Sequence, residues 1–327
     1  MTDPEKQAAM RVLSEIRAPA NMTDVKLHDL VTFHMVNATL RYGTTDASTH
    51  GIVGLASILG PVFHRYIDGY HFGRLACRLV EKFGFHAYKA KAYLGMEHLL
   101  LWIEPISTAI EFTRLAFRAG IETGDLSYAS YSCEHLVTDL LLQGVQLDEV
   151  WRESQNGLEF HRKVKFRDVA DMIVSQQRFI QNMRGQTTAF SSFSDAEFDE
   201  ERFEAQLTAD RMTRMVCYYW ALKLQARFMS GDYDAARAAA QKAKSLLSSA
   251  KIHIQLVDYY CYNALTIAAI HETSGPQKQA EGIQELKQSL ERLREWSGSC
   301  PETFLDKYTL VSAELARIEG PEAGGRG

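Results

Sequence analysis

The chain has 327 residues, 46% of them hydrophobic and 24% charged, a composition that argues against disorder and supplies enough apolar surface for a large core. A net charge of −5 and the lack of any lysine and arginine run exclude the phosphate-neutralising surface of a nucleic-acid binder. Apolar runs such as Leu99, Leu100, Leu101, Trp102 and Ile103 fall far short of the roughly 20 residues that cross a bilayer, and the opening residues hold no apolar signal core. The expected location is the cytoplasm, without membrane insertion. Cys77, Cys133, Cys217, Cys261 and Cys300 form no Cys-x-x-Cys pair and are expected as reduced, buried thiols.

Apolar residues recur at helical spacing along the chain, only seven prolines interrupt them, and no alternating segment argues for a sheet, so the predicted fold is all-α. Pro4 starts the first helix and Pro19 is expected to stop it. Asp24 caps a second helix carrying Leu27, Leu30, Val31, His34, Met35 and Ala38, which ends at Tyr42 and Gly43. Residues 1–43 thus form N-terminal helices, and 44–143 form divergent helix pairs joined by short turns such as Gly124-Asp125. Residues 144–204 fit least well and are expected as irregular long helices joined by an extended loop. Better-formed pairs follow over 205–320, and 321–327 form a flexible tail.

Residues 220–243 are the most diagnostic. Trp220, Leu224, Phe228, Gly231, Asp232, Tyr233, Ala236, Ala240 and Ala243 make one helix-turn-helix unit that resembles a tetratricopeptide repeat. Ala236 and Ala243, seven apart, let the second helix lie close against the first, Gly231 permits the turn, and Tyr233 fills the gap at the hairpin. A weaker copy contains Ser57, Gly60, Tyr66, Gly69 and Ala76. A third starts at Gly124 and has Leu136 where a small residue is expected, and a fourth joins 259–271 to 279–296 across Gly275-Pro276. The resemblance implies a right-handed superhelix of such pairs, irregular in the middle.

The ordered set Leu40-Arg41-Tyr42-Gly43, Gly69-Tyr70-His71-Phe72-Gly73-Arg74-Leu75-Ala76, Gly124-Asp125-Leu126-Ser127-Tyr128-Ala129, Gly231-Asp232-Tyr233, Cys300-Pro301-Glu302-Thr303-Phe304 and Leu310-Val311-Ser312-Ala313-Glu314-Leu315-Ala316-Arg317 resembles the helical-repeat segment of large bacterial signalling proteins. Those proteins join serine/threonine-kinase-like, ATPase, GAF and hybrid histidine kinase modules. The resemblance implies a non-catalytic scaffold or signal-transmitting module, with those neighbouring domains or a separate signalling protein as partner. A homodimer is compatible with the sequence. Because 304–318 reads as a first helix without its second, the chain is expected to be a piece of something larger, or to have its last apolar face covered by a partner.

No catalytic site is expected. A Walker phosphate loop, a histidine phosphoacceptor box, a Gly-rich ATP lid and a Gly-x-Ser-x-Gly elbow are all missing from the sequence. Glu104, Glu111, Glu122 and Asp125 read as solvated helix faces. Eleven histidines, His64, His71, His86 and His98 among them, include no His-Glu-x-x-His unit, and Glu97-His98 lacks a second histidine four residues on, so neither a metal nor a cofactor is expected. The aromatic surplus around Tyr218, Tyr219, Trp220, Phe228, Tyr259, Tyr260 and Tyr262 supports an alternative function, a receptor for a peptide or small ligand. In it Tyr218, Gln225 and Phe228 line a concave groove while Trp220 and Leu224 pack inward.

Overall fold

A computed structural model describes residues 1–320, except for the side chains of Ala18, Met22 and Thr23, and the tail expected at 321–327 lies outside the described residues. Among the described residues every regular element is a helix. They divide into two compact units, Met1–Ala170 and the chain from Asp171 on.

The first unit contains α1 (Pro4–Thr23), α2 (Val25–Tyr42), α3 (Asp46–Phe63), α4 (Tyr66–Phe83), α5 (Lys89–Leu100), α6 (Ile106–Thr123), α7 (Leu126–Gln143) and α8 (Leu147–Val164). Each helix packs against the next, and α1, α3, α5 and α7 also pack on one another in succession. The odd helices therefore make one layer and the even helices lie against it. The sequences match these places. In α3, Ala47 to Val53 are all buried, as are Gly54, Ala56, Ser57, Ile58 and Gly60, while α4 buries only one stripe, Tyr66, Gly69, Gly73, Ala76, Cys77 and Val80.

Small residues bring these helices together. A Cβ added at Gly120 in α6 would meet the Ala129 backbone nitrogen at 2.9 Å and the Asp125 carbonyl at 3.0 Å, so α6 and α7 touch backbone to backbone beside their turn. Gly124 closes that turn in the left-handed region, φ +73°, where a side chain would be strained. At Gly54 a Cβ would overlap the Arg17 guanidinium. Arg17 is buried there, donating to Thr32 Oγ1 at 3.0 Å and the His50 carbonyl at 2.9 Å, and so ties α1 to α2 and α3.

Two details of the N-terminal helices differ from expectation. Pro19 does not stop α1, which runs on to Thr23; the Asp24 N–H closes the last turn on the Ala20 carbonyl at 2.8 Å, so the one donor that proline lacks is tolerated near the helix end. Asp24 does cap α2, accepting from the Lys26 and Leu27 N–H groups. The buried face of α2 is Val31, Thr32, Met35 and Thr39, whereas Leu27 is 42% exposed and Leu30 is 52% exposed. The face is rotated because it is the polar Thr32 that meets Arg17.

The second unit takes in α9 (Arg167–Met183) from Asp171 onward, the short α10 (Glu200–Glu204), α11 (Thr213–Met229), α12 (Tyr233–Lys244), α13 (Gln255–Ala269), α14 (Pro276–Ser299) and α15 (Pro301–Glu319). Here α11, α13 and α15 pack in succession, and α12 and α14 lie against them. In the α11–α12 hairpin Ala236, Ala240 and Ala243 are fully buried, as is Leu224, and Trp220 is buried with them. Between α9 and α10 the chain is a loop with internal order. The buried Asn182 side-chain amide reaches Thr187 Oγ1 and the Phe190 and Ser192 carbonyls, each at 3.0 Å, while Arg178 pairs with Asp195 at 2.5 Å.

Candidate functional site

The three groove candidates lie on α11. Tyr218 is 3% exposed, edge-on to His253 at 5.7 Å, with the Arg214 guanidinium 6.0 Å from its ring. Gln225 and Phe228 are half-buried and share a neighbour: Gln225 Nε2 donates to Tyr262 Oη at 3.2 Å, and the Phe228 ring lies 5.6 Å from both Tyr262 and Tyr233. Tyr262 thus joins Gln225 and Phe228, while Tyr218 faces a separate aromatic and basic group. All three occur within three turns of one helix, whose spacing places Gln225 and Phe228 on one side.

The densest group of buried ionisable side chains lies in the first unit, on the successive inner helices α5 and α7. Each carries the dipeptide Glu-His, as Glu97-His98 and Glu134-His135. Glu97 Oε2 is 3.1 Å from His98 Nδ1, and its Oε1 is 3.2 Å from His135 Nδ1. Glu134 Oε2 lies 3.6 Å from His135 Nε2, while Oε1 accepts from Thr138 Oγ1 at 3.1 Å. The imidazole rings of His98 and His135 meet edge to face with centroids 4.6 Å apart. One turn along α7, Asp139 Oδ2 is 2.9 Å from Thr113 Oγ1 of α6.

Burial decides the protonation here. Glu97 and Asp139 are fully inaccessible, and among the described residues no lysine or arginine pairs with either. Burial pushes the Glu97 carboxyl up to about 7, with His98 opposing it. For Asp139, burial and then the Glu97 charge push the carboxyl well above the usual range. Thr113 Oγ1 lies 3.1 Å from the Ala109 carbonyl and donates to Asp139 Oδ2 at 2.9 Å, a bond that favours the charged carboxylate but is outweighed by burial and the Glu97 charge.

A folded-state pKa raised above the unfolded value means that the unfolded chain holds fewer protons between the two, so stability falls as pH rises through that window. Asp139→Asn keeps the shape and an amide oxygen that accepts from Thr113, and it has no proton to lose. We therefore expect it to stabilise the first unit by at least about 1 kcal/mol at pH 8, with no gain near pH 3. Chemical denaturation at the two pH values reads this directly, and a destabilised variant at pH 8 would show that Asp139 is ionised in the fold.

The histidines singled out by number alone, His64, His71 and His86, are not in this group; only His98 is. The overlooked signal was the repeated Glu-His on α5 and α7, which means little until the helices are known to be adjacent.

The folds of the two units and these side-chain groups can be set beside known proteins. No known family's sequence profile matches the chain. Over 191 residues, 57% of this chain, it is 27% identical to the protein named hybrid signal transduction histidine kinase G of Dictyostelium discoideum. The match spans 6% of that protein's length. The chain is thus all-helical in its described residues and similar to a region of a signalling histidine kinase. No helix among the described residues is long and apolar enough to cross a membrane.

Proposed function

We propose that the chain is a non-catalytic module of tetratricopeptide-like hairpins which holds neighbouring sensor, kinase or ATPase domains in a large signalling protein and passes state changes between them. The observation that carries this reading is the similarity to a small part of a hybrid histidine kinase, a protein many times longer than the matched segment. The layered helices suit the role. In an array where each helix pair touches chiefly the next, small rotations at successive interfaces add up and can relay a change at one end.

The test is hydrogen exchange on the chain alone and again with the domains encoded beside it. Altered protection along the helices of either unit is expected on joining the domains, and identical exchange in every helix would overturn the relay. The isolated chain is also expected to show no ATP turnover. A second reading, a peptide receptor, is favoured by the half-buried Gln225, Phe228 and Tyr262 group; peptide titrations followed by tryptophan fluorescence discriminate it, with saturable changes that Phe228→Ala abolishes.

A further inference from the structure

We propose that the outward face of α2 and α4 in the first unit is a docking surface for an anionic lipid bilayer. Basic side chains meet the lipid phosphates there, and leucines and phenylalanines dip between them. Both helices lie against α3 in the outer layer, so their outward faces share one side of the unit. Inward, α2 buries Val31, Thr32, Met35 and Thr39, and α4 buries Tyr66, Gly69, Gly73, Ala76, Cys77 and Val80. Outward, α2 presents Leu27, Leu30 and Leu40, the last 79% exposed, and α4 presents Phe72, Leu75 and Phe83, the last 50% exposed. A single exposed leucine is ordinary, but this many large apolar side chains on one side of a unit mark an interaction surface.

Charge selects the partner. The chain has a net charge of −5, yet these two helices carry five lysines and arginines, Lys26, Arg41, Arg74, Arg78 and Lys82, against three acids, Asp29, Asp68 and Glu81. Two of the acids are engaged, Asp29 by His28 at 3.0 Å and Asp68 by Arg65 at 2.5 Å. Among the described residues no carboxylate pairs with any of the five cations. Lys82 Nζ instead lies 5.4 Å from the Phe83 ring, and the Arg74 guanidinium 6.0 Å from that of Tyr70. Arg74, Arg78 and Lys82 follow one another at four-residue spacing, which makes a basic ridge along α4. The surplus ends with α4, since α6 turns out Glu111, Arg114, Arg118 and Glu122 in balance.

A lipid surface suits this mixture better than a protein does. The centre of a protein interface is depleted of charge, lysine especially. On α2 and α4 the two kinds of side chain are interleaved: Leu30 lies one turn from Lys26 and His34, Leu75 one turn from His71 and Arg78, and Phe83 beside Lys82, so no charge-free centre forms. A bilayer interface accepts the interleaving, because phosphates pair with the cationic heads while the basic stems and the apolar side chains reach toward the acyl boundary. Each lysine or arginine held near an anionic leaflet adds to the attraction. The helices lie on the surface in this arrangement and do not span it, as no described helix is long and apolar enough to cross. Docking requires no relay along the helices and so stands or falls apart from the role proposed above.

The test is co-sedimentation of the full chain with large vesicles of phosphatidylcholine alone and of phosphatidylcholine containing roughly 30% phosphatidylserine. Partition onto the anionic vesicles only is expected, weakening as salt rises. The triple variant Arg74→Gln, Arg78→Gln, Lys82→Gln should weaken it about 100-fold, and Leu30→Gln with Leu75→Gln about 10-fold. Lys278→Gln, at an exposed lysine of the second unit, should bind as the wild-type chain does. All the altered side chains are exposed, and circular dichroism confirms folding; should a multiple variant misfold, Arg78→Gln and Leu75→Gln alone carry the comparison. No partition onto anionic vesicles overturns the docking surface and leaves the face to an acidic protein partner. Binding that the leucine variant keeps at wild-type strength overturns it as well, being adsorption by charge alone, and so does binding that the triple variant retains.

Discussion

Arg227→Ala is expected to destabilise the second unit by about 3–5 kcal/mol, because it leaves a buried carboxylate without its main counter-ion. Arg227, 3% exposed on α11, forms an ion pair with Glu200 of α10, and its guanidinium lies 5.1 Å from the Phe193 ring. Glu200 also accepts from the Phe193 N–H at 2.9 Å and from Ser192 Oγ at 3.3 Å, so it anchors the loop before α10 to the hairpin helix. Lys223, 3.0 Å away, remains in the variant and keeps the loss from being larger. The same change should release the loop, with faster proteolysis between 184 and 199. Replacing both partners, Arg227→Met with Glu200→Gln, removes the stranded charge and should recover most of the loss in urea. Equal midpoints for Arg227→Ala and the wild-type chain would show that the pair contributes nothing.

The second unit is also expected to lose stability in acid through Glu285. This α14 carboxylate receives Arg237 of α12 on both oxygens, at 3.2 and 2.7 Å, Asn263 of α13 at 3.0 Å, and Lys244 at 3.3 Å. Burial alone would raise its carboxyl, but the hydrogen bonds from Arg237 and Asn263 and the charges of Arg237 and Lys244 outweigh it and hold it down to about 2. A folded pKa below the unfolded one gives stability that is fully present above the unfolded value, near 4.5, and is lost as pH falls through about 2. The contribution is up to about 3 kcal/mol at neutral pH. Denaturation from pH 7 to pH 2 should show this slope in the wild-type chain and a flatter one in Glu285→Gln, the two converging at the acid end. Parallel curves would place the acid sensitivity elsewhere.

Helical periodicity made the all-α class legible, and turn residues marked the hairpins. Gly124-Asp125 and Gly231-Asp232 each sit between two helices, Gly275 precedes α14 with Pro276 as its first residue, and the small residues Ala236, Ala240 and Ala243 lie buried where one helix approaches another. These signals are local, since a left-handed glycine or an alanine stripe has its effect within one hairpin. Pro19 misled because proline near a helix end costs one hydrogen bond and no more, and the neighbouring Asp24 turn accommodates it. Leu27 and Leu30 misled because periodicity alone does not say which of two apolar stripes faces the neighbour.

The candidate sites were less legible. Tyr218, Gln225 and Phe228 are spaced on one helix, yet only the packing of α13 against α11 shows that Tyr262 joins Gln225 and Phe228. The Glu-His dipeptides on α5 and α7 looked like ordinary helix residues. By itself the sequence determined the helices, their turns and the absence of any contiguous catalytic motif, because these depend on residues a few positions apart. The tertiary structure decided which helices form the inner layer, and thereby which carboxylates and imidazoles share a low-dielectric interior. Side chains 37 positions apart acquire a common chemistry only when packing removes the water between them.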